Sequence, residues 1–457
     1  MRIQFQNIAC CEWIHLLPSI TFHIKGWREG IGNFRRLFPK NVNYYNIPLV
    51  DLSVKPKNLP EDLEYLFEYS VIDDSAAYLG HPDSVLLNNG DILTFYPKGH
   101  GKGAILSKIS DNGGVSYDKE IENPPASWEK SLETPTVYRL QFKNGDEKLI
   151  LVSANSKWPG MSTPGGFNSS ISLDEGKTWT EFKRVWDNDS EMPLIPIVAM
   201  ASLTRLKENG EFVDKWMGIF HDGSFINYKT ILTFDENGDY NWSKPEPYLA
   251  DYRKYETYSG ICEVECIRSD CGKGDELCLI ARCNKKRNTS LLFFSTDEGK
   301  TWSNPVEAPV ALNGERHKAE YTDDGRLFIT FRSIERNKKM VKKMRRDGGN
   351  KTWYSEGWIA WVGSYDDLKN GTEGQYRIKI AHTYLDHQSE PSLSANADTG
   401  YCGNVVLKDG TIVTSSYGVF SPEEKKKGNY DTDKGKQKRK TFIVSKRIKL
   451  SDVEKLI

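Results

Sequence analysis

One eight-residue pattern, Ser-x-Asp-x-Gly-x-Thr-Trp, occurs twice in the chain and constrains the fold more than any other feature. The full copies are Ser172–Trp179 and Ser295–Trp302, and a weaker copy, Ser110–Tyr117, lies upstream. The pattern has the chemistry of a hairpin turn, because the Asp carboxylate accepts from backbone N–H groups and Gly takes the position with φ > 0. Thr and Trp then begin the next strand, and the indole packs the turn against the sheet. Two such copies indicate a chain built of repeated units.

A longer unit recurs from about Tyr78 onward, in which an apolar strand, a turn ending in Gly and a second apolar strand follow one another. Asn-Gly and Asp-Gly favour such hairpin turns because these residues tolerate φ > 0. The turns are Asn89-Gly90, Asn144-Gly145, Asn209-Gly210, Lys273-Gly274, Asp324-Gly325 and Asp409-Gly410. Since a third strand and an Asp-containing turn follow in most units, the chain predicts an all-β fold, a six-bladed β-propeller with Asp-box turns.

The first 70 residues do not share this repeat. We therefore expect residues 1–70 to form an N-terminal extension and residues 71–457 to form the propeller. The last unit is one strand short, and a strand from residues 1–55 is expected to complete it and close the ring.

The composition restricts the possible partners. A formal net charge of −1 argues against nucleic acid or a membrane surface as a partner, and no run of 18 apolar residues could span a bilayer. The 8 Cys form no pair of CxxC motifs, so neither a metal nor a cofactor is expected. With no signal peptide in evidence, a reduced cytoplasmic protein is the simplest interpretation, although a secreted chain whose leader had been removed would look the same.

Polar side chains collect where the innermost strands of a propeller begin and where the second strands end. Both places face the same mouth of the central channel, where ligands bind. Candidates at the strand starts are His81, Asp83, Glu133, Glu263, Glu265, Arg316 and Tyr401, and candidates near the second-strand ends are His100, His221, Asp222, Arg282 and Arg332. This inventory suits a small, acidic, polar ligand and acid/base chemistry.

At these residues the chain resembles the sialidase (neuraminidase) superfamily, over roughly residues 78–450. The segment from Cys262 to Arg282 is similar to the blade that supplies an activating Glu and a carboxylate-binding Arg, and Thr399–Gly410 is similar to the final blade. The resemblance implies that Tyr401 is the nucleophile, Glu263 its base and Arg282 a clamp for the substrate carboxylate. A phenol is a poor nucleophile unless a carboxylate takes its proton, and sialidases are the exception among glycosidases in using one.

The first blade departs from the sialidase pattern. It opens with Gly80–Asp83 instead of Arg-Ile-Pro, and the later segment 97–102 has no Asp, so a clamp Arg and the general acid must be reassigned. Asp83 is the candidate acid/base, with His81 or His100 as neighbour or substitute because His titrates near neutrality.

Several assignments stay open at this point. The further clamp residue is Arg332 or Arg316, of which Arg332 is favoured because it ends a second strand as Arg282 does. Glu265 could be the base instead of Glu263, because residues two apart share a strand face. His221, Asp222 and Glu133 are lesser candidates. Tyr401 could also be a packing residue, Arg282 an ion-pair partner of Glu265, and Asp83 a turn cap.

Three functions fit these residues. The first is retaining exo-hydrolysis of terminal sialic acid or a related acidic sugar through Tyr401. The second is a propeller glycosidase or lyase acting on another acidic sugar, such as a uronate, and the third is a carbohydrate-binding propeller without turnover. The Tyr401, Glu263 and Arg282 set favours the first over the third, because a binding module needs no base beside a phenol.

Overall fold

Six β-sheets form the blades of a propeller, which confirms the predicted all-β fold. The structure is a computed structural model that describes residues 45–76, 78–99, 103–130, 134–154, 166–185, 194–249, 260–283, 290–334, 357–383, 385, 399–419, 432–433, 436–437 and 441–457. Apart from the two strands that precede blade one, neighbouring strands within each blade are antiparallel, and the three inner strands follow chain order outward from the innermost one. This order places the start of every inner strand at the same end of the channel.

Two short strands precede the blades, and the first three blades follow them. The leading strands are β1 (Leu49–Asp51) and β2 (Ser70–Asp73). Blade one contains β3 (Asp83–Leu86), β4 (Ile92–Pro97) and β5 (Ile105–Ser110). Blade two contains β6 (Thr136–Gln141), β7 (Glu147–Ala154), β8 (Phe167–Ser172) and β9 (Lys183–Val185). Blade three contains β10 (Pro196–Glu208), β11 (Glu211–Asp222), β12 (Asn227–Phe234), β13 (Tyr240–Trp242) and β14 (Glu246–Pro247).

The second half of the ring repeats the arrangement. Blade four contains β15 (Ile261–Arg268), β16 (Leu277–Cys283), β17 (Leu291–Ser295) and β18 (Val306–Glu307). Blade five contains β19 (Gly314–Tyr321), β20 (Leu327–Ser333), β21 (Trp358–Gly363) and β22 (Tyr376–Ala381). Blade six contains β23 (Gly403–Val406), β24 (Ile412–Val419) and, after the short pair β25 (Thr432–Asp433) and β26 (Lys436–Gln437), β27 (Thr441–Ile448).

The strand that completes blade six is not the one expected. β2, at residues 70–73, pairs antiparallel with β27 and forms the outer edge of that blade. β1, the described strand within the predicted range 1–55, instead adds a fifth strand to blade five, parallel to β22. Ring closure therefore uses the segment immediately before blade one, and the earlier segment covers the edge of a neighbouring blade. Closure is also visible between Ser84 of β3 and Ser415 of β24, whose hydroxyl oxygens lie 3.1 Å apart.

Both full copies of the repeated turn have the same internal hydrogen bonds. Asp174 accepts from the backbone N–H of Thr178 at 2.9 Å and from its hydroxyl at 2.6 Å, and Asp297 accepts from Thr301 at the same two distances. The glycine that follows in each turn has positive φ. The indole N–H of Trp179 donates to the carbonyl of Gly176, and the ring packs against aromatic side chains of blade one. The turn thus joins its own blade to the preceding one.

The helical segments among the described residues are short. They are Glu61–Phe67, Ala126–Lys130, Ser269–Gly272, Val310–Leu312, Tyr365–Asn370, Leu450–Val453 and Glu454–Leu456. Among the described residues, none of these combines the length and apolar character needed to cross a membrane.

Candidate active site

Several innermost strands have a residue in the left-handed region of backbone conformation within three positions of their start. His81, Glu263 and Arg316 have φ of 56°, 50° and 55°, and Gly400 has φ of 80°. The strand pairing shifts register at Glu263 and at Arg316, as it does at a β-bulge. Left-handed backbone is costly for residues other than glycine, and bulges re-aim side chains next to functional sites. At the mouth of the channel the side chains of these residues therefore do not follow the usual alternation between the two faces of a strand.

Tyr401 and Glu263 meet at this mouth. The hydroxyl of Tyr401 donates to Oε1 of Glu263 at 2.6 Å, although the two residues are 138 positions apart in the chain. Both side chains are buried. A phenol becomes an effective nucleophile when a neighbouring base accepts its proton, and Glu263 occupies the position of that base.

Two guanidinium groups surround the same phenol oxygen. Nη1 of Arg282 donates to Oη of Tyr401 at 3.0 Å and to Oε2 of Glu263 at 2.8 Å. Nη2 of Arg332 lies 3.4 Å from Oη, and its guanidinium carbon lies 4.8 Å from the centroid of the Tyr401 ring. Positive charge at these distances stabilises negative charge that develops on the phenol oxygen.

Glu315 holds both guanidinium groups from the other side. Its Oε2 accepts from Nε and Nη2 of Arg332 at 3.0 and 2.6 Å, and its Oε1 lies 3.1 Å from Nη2 of Arg282. Only 2% of Glu315 is exposed. Two guanidinium groups thus face two carboxylates, Glu263 and Glu315, so the charges in the cluster balance while Tyr401 is neutral.

Electrostatics fix the location of the proton in the resting cluster. Burial by itself raises the pKa of Glu263, but the charge of Arg282 and the hydrogen bond from Tyr401 outweigh burial and lower this pKa to about 2. Burial, followed by the charge of Glu263, raises the pKa of Tyr401 well above its ordinary value. At neutral pH the proton is therefore on the phenol and the negative charge is on Glu263.

His81 packs against the ring of the candidate nucleophile. The centroid of its imidazole lies 5.0 Å from that of Tyr401 and 4.9 Å from that of Tyr417. The side chain is buried. The segment in which the sialidase pattern would have an arginine thus places an imidazole ring against Tyr401.

His221 and Asp222 occupy the end of β11. Nδ1 of His221 donates to the backbone carbonyl of Asp222 at 2.9 Å, and burial lowers the pKa of the imidazole. Oδ1 of Asp222 accepts from the backbone N–H groups of Ser224 and Ile226, each at 2.9 Å. Asp222 thus closes the turn between β11 and β12, whereas His221 is a buried neutral imidazole.

Asp83, the predicted acid/base, lies in a different charged group. Its Oδ2 accepts from the backbone N–H of Val137 at 3.0 Å, and its Oδ1 lies 3.3 Å from Nζ of Lys318. Within the described parts of the chain, Asp83 forms no hydrogen bond or ion pair with the Tyr401 cluster. These contacts do not favour a proton-transfer role for Asp83.

The hydrogen bonds distinguish Glu263 from Glu265 as the base, and Arg332 from Arg316 as the further clamp residue. Glu265 accepts from the backbone N–H of Ala319 at 3.2 Å, and burial raises its pKa to about 7. Arg316 donates to the carbonyl of Ala201 at 3.0 Å. The Tyr401 hydroxyl is instead bonded to Glu263 and approached by Arg332.

Two further charged residues, Glu315 and Lys318, were not among the sequence candidates. Both lie on β19, and Glu315 stands directly opposite Arg332 in the register of β19 and β20. A Glu opposite an Arg across a ladder is a readable signal for an ion pair, once the pairing register is known.

His100 and Glu133 lie outside the described residues. Among the described residues, no group of three or more His, Cys, Asp or Glu is arranged to hold a metal ion.

Comparison with solved structures shows the same fold in other proteins. A protein of unknown function from Dyadobacter fermentans has a TM-score of 0.52 and 14% identity, covering 83% of this chain and 98% of that chain. An α-L-arabinofuranosidase from Fusarium graminearum has a TM-score of 0.51 and 12% identity, covering 85% and 99%. A sialidase from Streptococcus pneumoniae has a TM-score of 0.49 and 11% identity, covering 84% and 71%.

No family model and no curated protein matches the sequence. The solved structures with TM-scores of 0.52 and 0.51 confirm the predicted resemblance at the level of the propeller fold, in a chain of divergent sequence. The chain has a propeller fold that glycoside hydrolases also use, and the choice of substrate must be argued from the residues of its own site.

Proposed function

We propose that the protein is a retaining glycoside hydrolase that removes terminal sialic acid, or a related acidic sugar, through a glycosyl intermediate on Tyr401. The observation that carries this proposal is the 2.6 Å hydrogen bond from Tyr401 to Glu263, with Arg282 also bonded to the phenol oxygen. A packing tyrosine needs one partner for its hydroxyl. Here a base and two cations surround it, which is the environment of an activated nucleophile.

In the first step Oη of Tyr401 forms a bond to the anomeric carbon while the bond to the leaving oxygen breaks. The phenol proton passes to Oε1 of Glu263, and the leaving oxygen takes a proton from an acid on the other side of the sugar. In the second step water attacks the anomeric carbon and gives its proton to the conjugate base of that acid, while Glu263 returns its proton to the departing phenolate.

A phenol as nucleophile supports an acidic sugar as the substrate. A neutral phenol avoids the repulsion that a carboxylate nucleophile would meet from a carboxylate next to the anomeric carbon. Arg282 and Arg332 both reach the phenol oxygen, so a carboxylate on the reacting carbon would lie beside guanidinium groups. Guanidinium groups bind carboxylates through paired hydrogen bonds.

One observation favours a second candidate, hydrolysis of a neutral sugar such as an arabinofuranoside. Glu315 already accepts from Arg332 and pairs with Arg282, so the two cations carry no surplus positive charge for a substrate anion. The fold is also shared with an arabinofuranosidase. A neutral sugar would need no such surplus.

The test is a screen with fluorogenic α-sialosides, uronides and α-L-arabinofuranosides, repeated on Tyr401→Phe. Release of the free monosaccharide from the sialoside, absent in Tyr401→Phe, supports the proposal. A fluorinated sialosyl fluoride should also transfer its glycosyl group to Tyr401 with loss of fluoride, and so add the mass of that group to the peptide that contains Tyr401. Release from the arabinofuranoside alone would establish the second candidate. No release from any glycoside, with glycan binding unchanged in Tyr401→Phe, would indicate a carbohydrate-binding propeller.

A further inference from the structure

Two buried polar side chains of blade three face blade four. His221 on β11 and Asn227 on β12 are directly opposite each other in the strand register, so their side chains share one face of the sheet. On β11 the alternate residues Met217 and Ile219 pack in one apolar cluster with blade four. Because alternate residues of a strand share a face, His221 and with it Asn227 point toward blade four.

The protonation of His221 follows from its hydrogen bond. A carbonyl oxygen can only accept, so Nδ1 of His221, which bonds to the carbonyl of Asp222, carries the ring proton. Burial lowers the pKa of this imidazole, which keeps the ring neutral. Nε2 is therefore a lone-pair acceptor.

The orientation of Asn227 follows in the same way. Its Nδ2 donates to the carbonyl of Ile261 at 3.0 Å, so Oδ1 is the free acceptor end of the amide. Ile261 is the first residue of β15, two positions before Glu263. The amide is thus fixed to the strand that carries the candidate base.

Both acceptors lack a partner within the described residues. Nε2 of His221 and Oδ1 of Asn227 have no hydrogen bond there, although the side chains are only 4% and 5% exposed. A buried polar atom left unsatisfied costs about 1–3 kcal/mol, so acceptors without a partner among the described residues, on two cross-strand neighbours, suit a donor that a ligand would bring.

An aromatic ring lies beside the two acceptors. Phe225, in the turn between β11 and β12, stacks on His221 with ring centroids 5.9 Å apart and planes 12° apart. It is partly exposed and has φ of 61°. Strained backbone that presents an aromatic ring is a feature of ligand sites, and aromatic rings offer an apolar surface to the C–H face of a sugar.

We infer that Nε2 of His221 and Oδ1 of Asn227 form a subsite that accepts hydrogen bonds from hydroxyl groups of the sugar bound at Tyr401. Two acceptors require donors, and a neutral hydroxyl meets this requirement without the repulsion that an anion would meet. This inference rests on the proposed function. It adds that the hydroxyl groups of the sugar are bound by the face of blade three that is turned toward blade four.

The experiment measures binding in the full chain with Tyr401→Phe, which cannot turn over a glycoside. The probes are methyl α-N-acetylneuraminide, methyl α-L-arabinofuranoside and the monodeoxy form of each at every hydroxyl. In this background we expect one hydroxyl deletion to weaken binding about 5- to 15-fold, the range of one or two hydrogen bonds. His221→Asn keeps a donor for the carbonyl of Asp222 but places no acceptor at the position of Nε2, so it should bind the parent and the deoxy form that lacks the hydroxyl bound to Nε2 equally.

A matched control and a spectroscopic signal separate a contact from a loss of structure. His317→Gln removes another buried imidazole, on β19, while keeping a donor for the carbonyl that His317 now contacts. It should retain the discrimination between parent and deoxy sugar. The ¹⁵N resonance of Nε2 of His221 should shift when the parent glycoside binds and not with the deoxy form.

Three outcomes would overturn the inference. They are equal discrimination in the parent background and in His221→Asn, a water molecule that bridges the two acceptors when sugar is bound, and no binding of any probe. A failure of the proposed function is visible separately: glycosides would bind with the expected discrimination, but protein with Tyr401 intact would release no monosaccharide.

Discussion

Glu315 accepts two hydrogen bonds from Arg332, at 2.6 and 3.0 Å, in the place where a guanidinium clamp would bind a substrate carboxylate. The same carboxylate lies 3.1 Å from Arg282. An internal anion thus competes with any anionic ligand for the two guanidinium groups. The preference between acidic and neutral sugars should therefore depend on this side chain.

We expect Glu315→Gln to bind acidic sugars more tightly. The substitution removes one negative charge and leaves an amide of the same shape, so the cluster gains a net charge of +1. N-acetylneuraminate should inhibit or bind about tenfold better, as one charge at close range in a partly buried site implies, while a neutral sugar should bind unchanged. Glu320→Gln, farther along β19, serves as the control when binding is measured at pH 8, because burial raises the pKa of Glu320 to about 7 and the carboxylate is charged only above that pH. Equal gains in both variants would mean that the effect is general and not local.

Removal of the phenol and removal of its base should have the same effect on turnover. Tyr401 and Glu263 share one proton, so losing either removes the same step. We expect Tyr401→Phe and Glu263→Gln each to lower kcat by at least ~10³-fold, and the double variant to be no slower than the slower single variant. Steady-state kinetics on the substrate found in the screen measure this. Multiplicative losses in the double variant would contradict the shared step.

The repeated turns and the six strand units could be predicted from local sequence because a turn depends on a few residues in succession. The candidates Tyr401, Glu263 and Arg282 could be proposed because they begin or end strands that meet at one mouth. The choice between Glu263 and Glu265 could not be made, since regular alternation puts both on one face. The left-handed conformation of Glu263 breaks this alternation, and nothing in the side chain of a glutamate favours it.

Two other features depend on contacts between distant parts of the chain. The role of Glu315 depends on Arg282 of another blade, and such a pair is fixed only when the ring closes. The edge strand of blade six is Ser70–Asp73, a short segment without a turn signal that gains its strand conformation by pairing with β27. Neither contact leaves a local pattern in the sequence.

Stability should fall as pH rises through neutrality because of Glu265. Burial raises its pKa from an ordinary value of 4.5 to about 7 in the folded protein. The folded chain therefore binds this proton more tightly than the unfolded chain. The resulting stabilisation is complete below about pH 4.5 and lost above about pH 7. Urea unfolding at pH 4.5 and pH 8 should show that Glu265→Gln, which cannot ionise, lacks a pH-dependent loss on the order of 3 kcal/mol. An unchanged pH dependence in Glu265→Gln would assign the loss to other groups.

The glutamate of each repeated turn should stabilise the contact with the preceding blade. Glu298 forms two hydrogen bonds with the guanidinium of Arg268, at 2.8 and 2.6 Å, and accepts from the backbone N–H of Lys207 in blade three at 2.9 Å. Glu298→Gln leaves the buried guanidinium without its charge partner, so we expect the free energy of unfolding to fall by about 2–4 kcal/mol. The exposed Glu236, in the corresponding turn of blade three, provides a matched control that should change by less than ~0.5 kcal/mol when replaced by Gln. Chemical denaturation followed by tryptophan fluorescence measures both variants, and equal stability of the two would show that the ion pair contributes nothing to the packing of the blades.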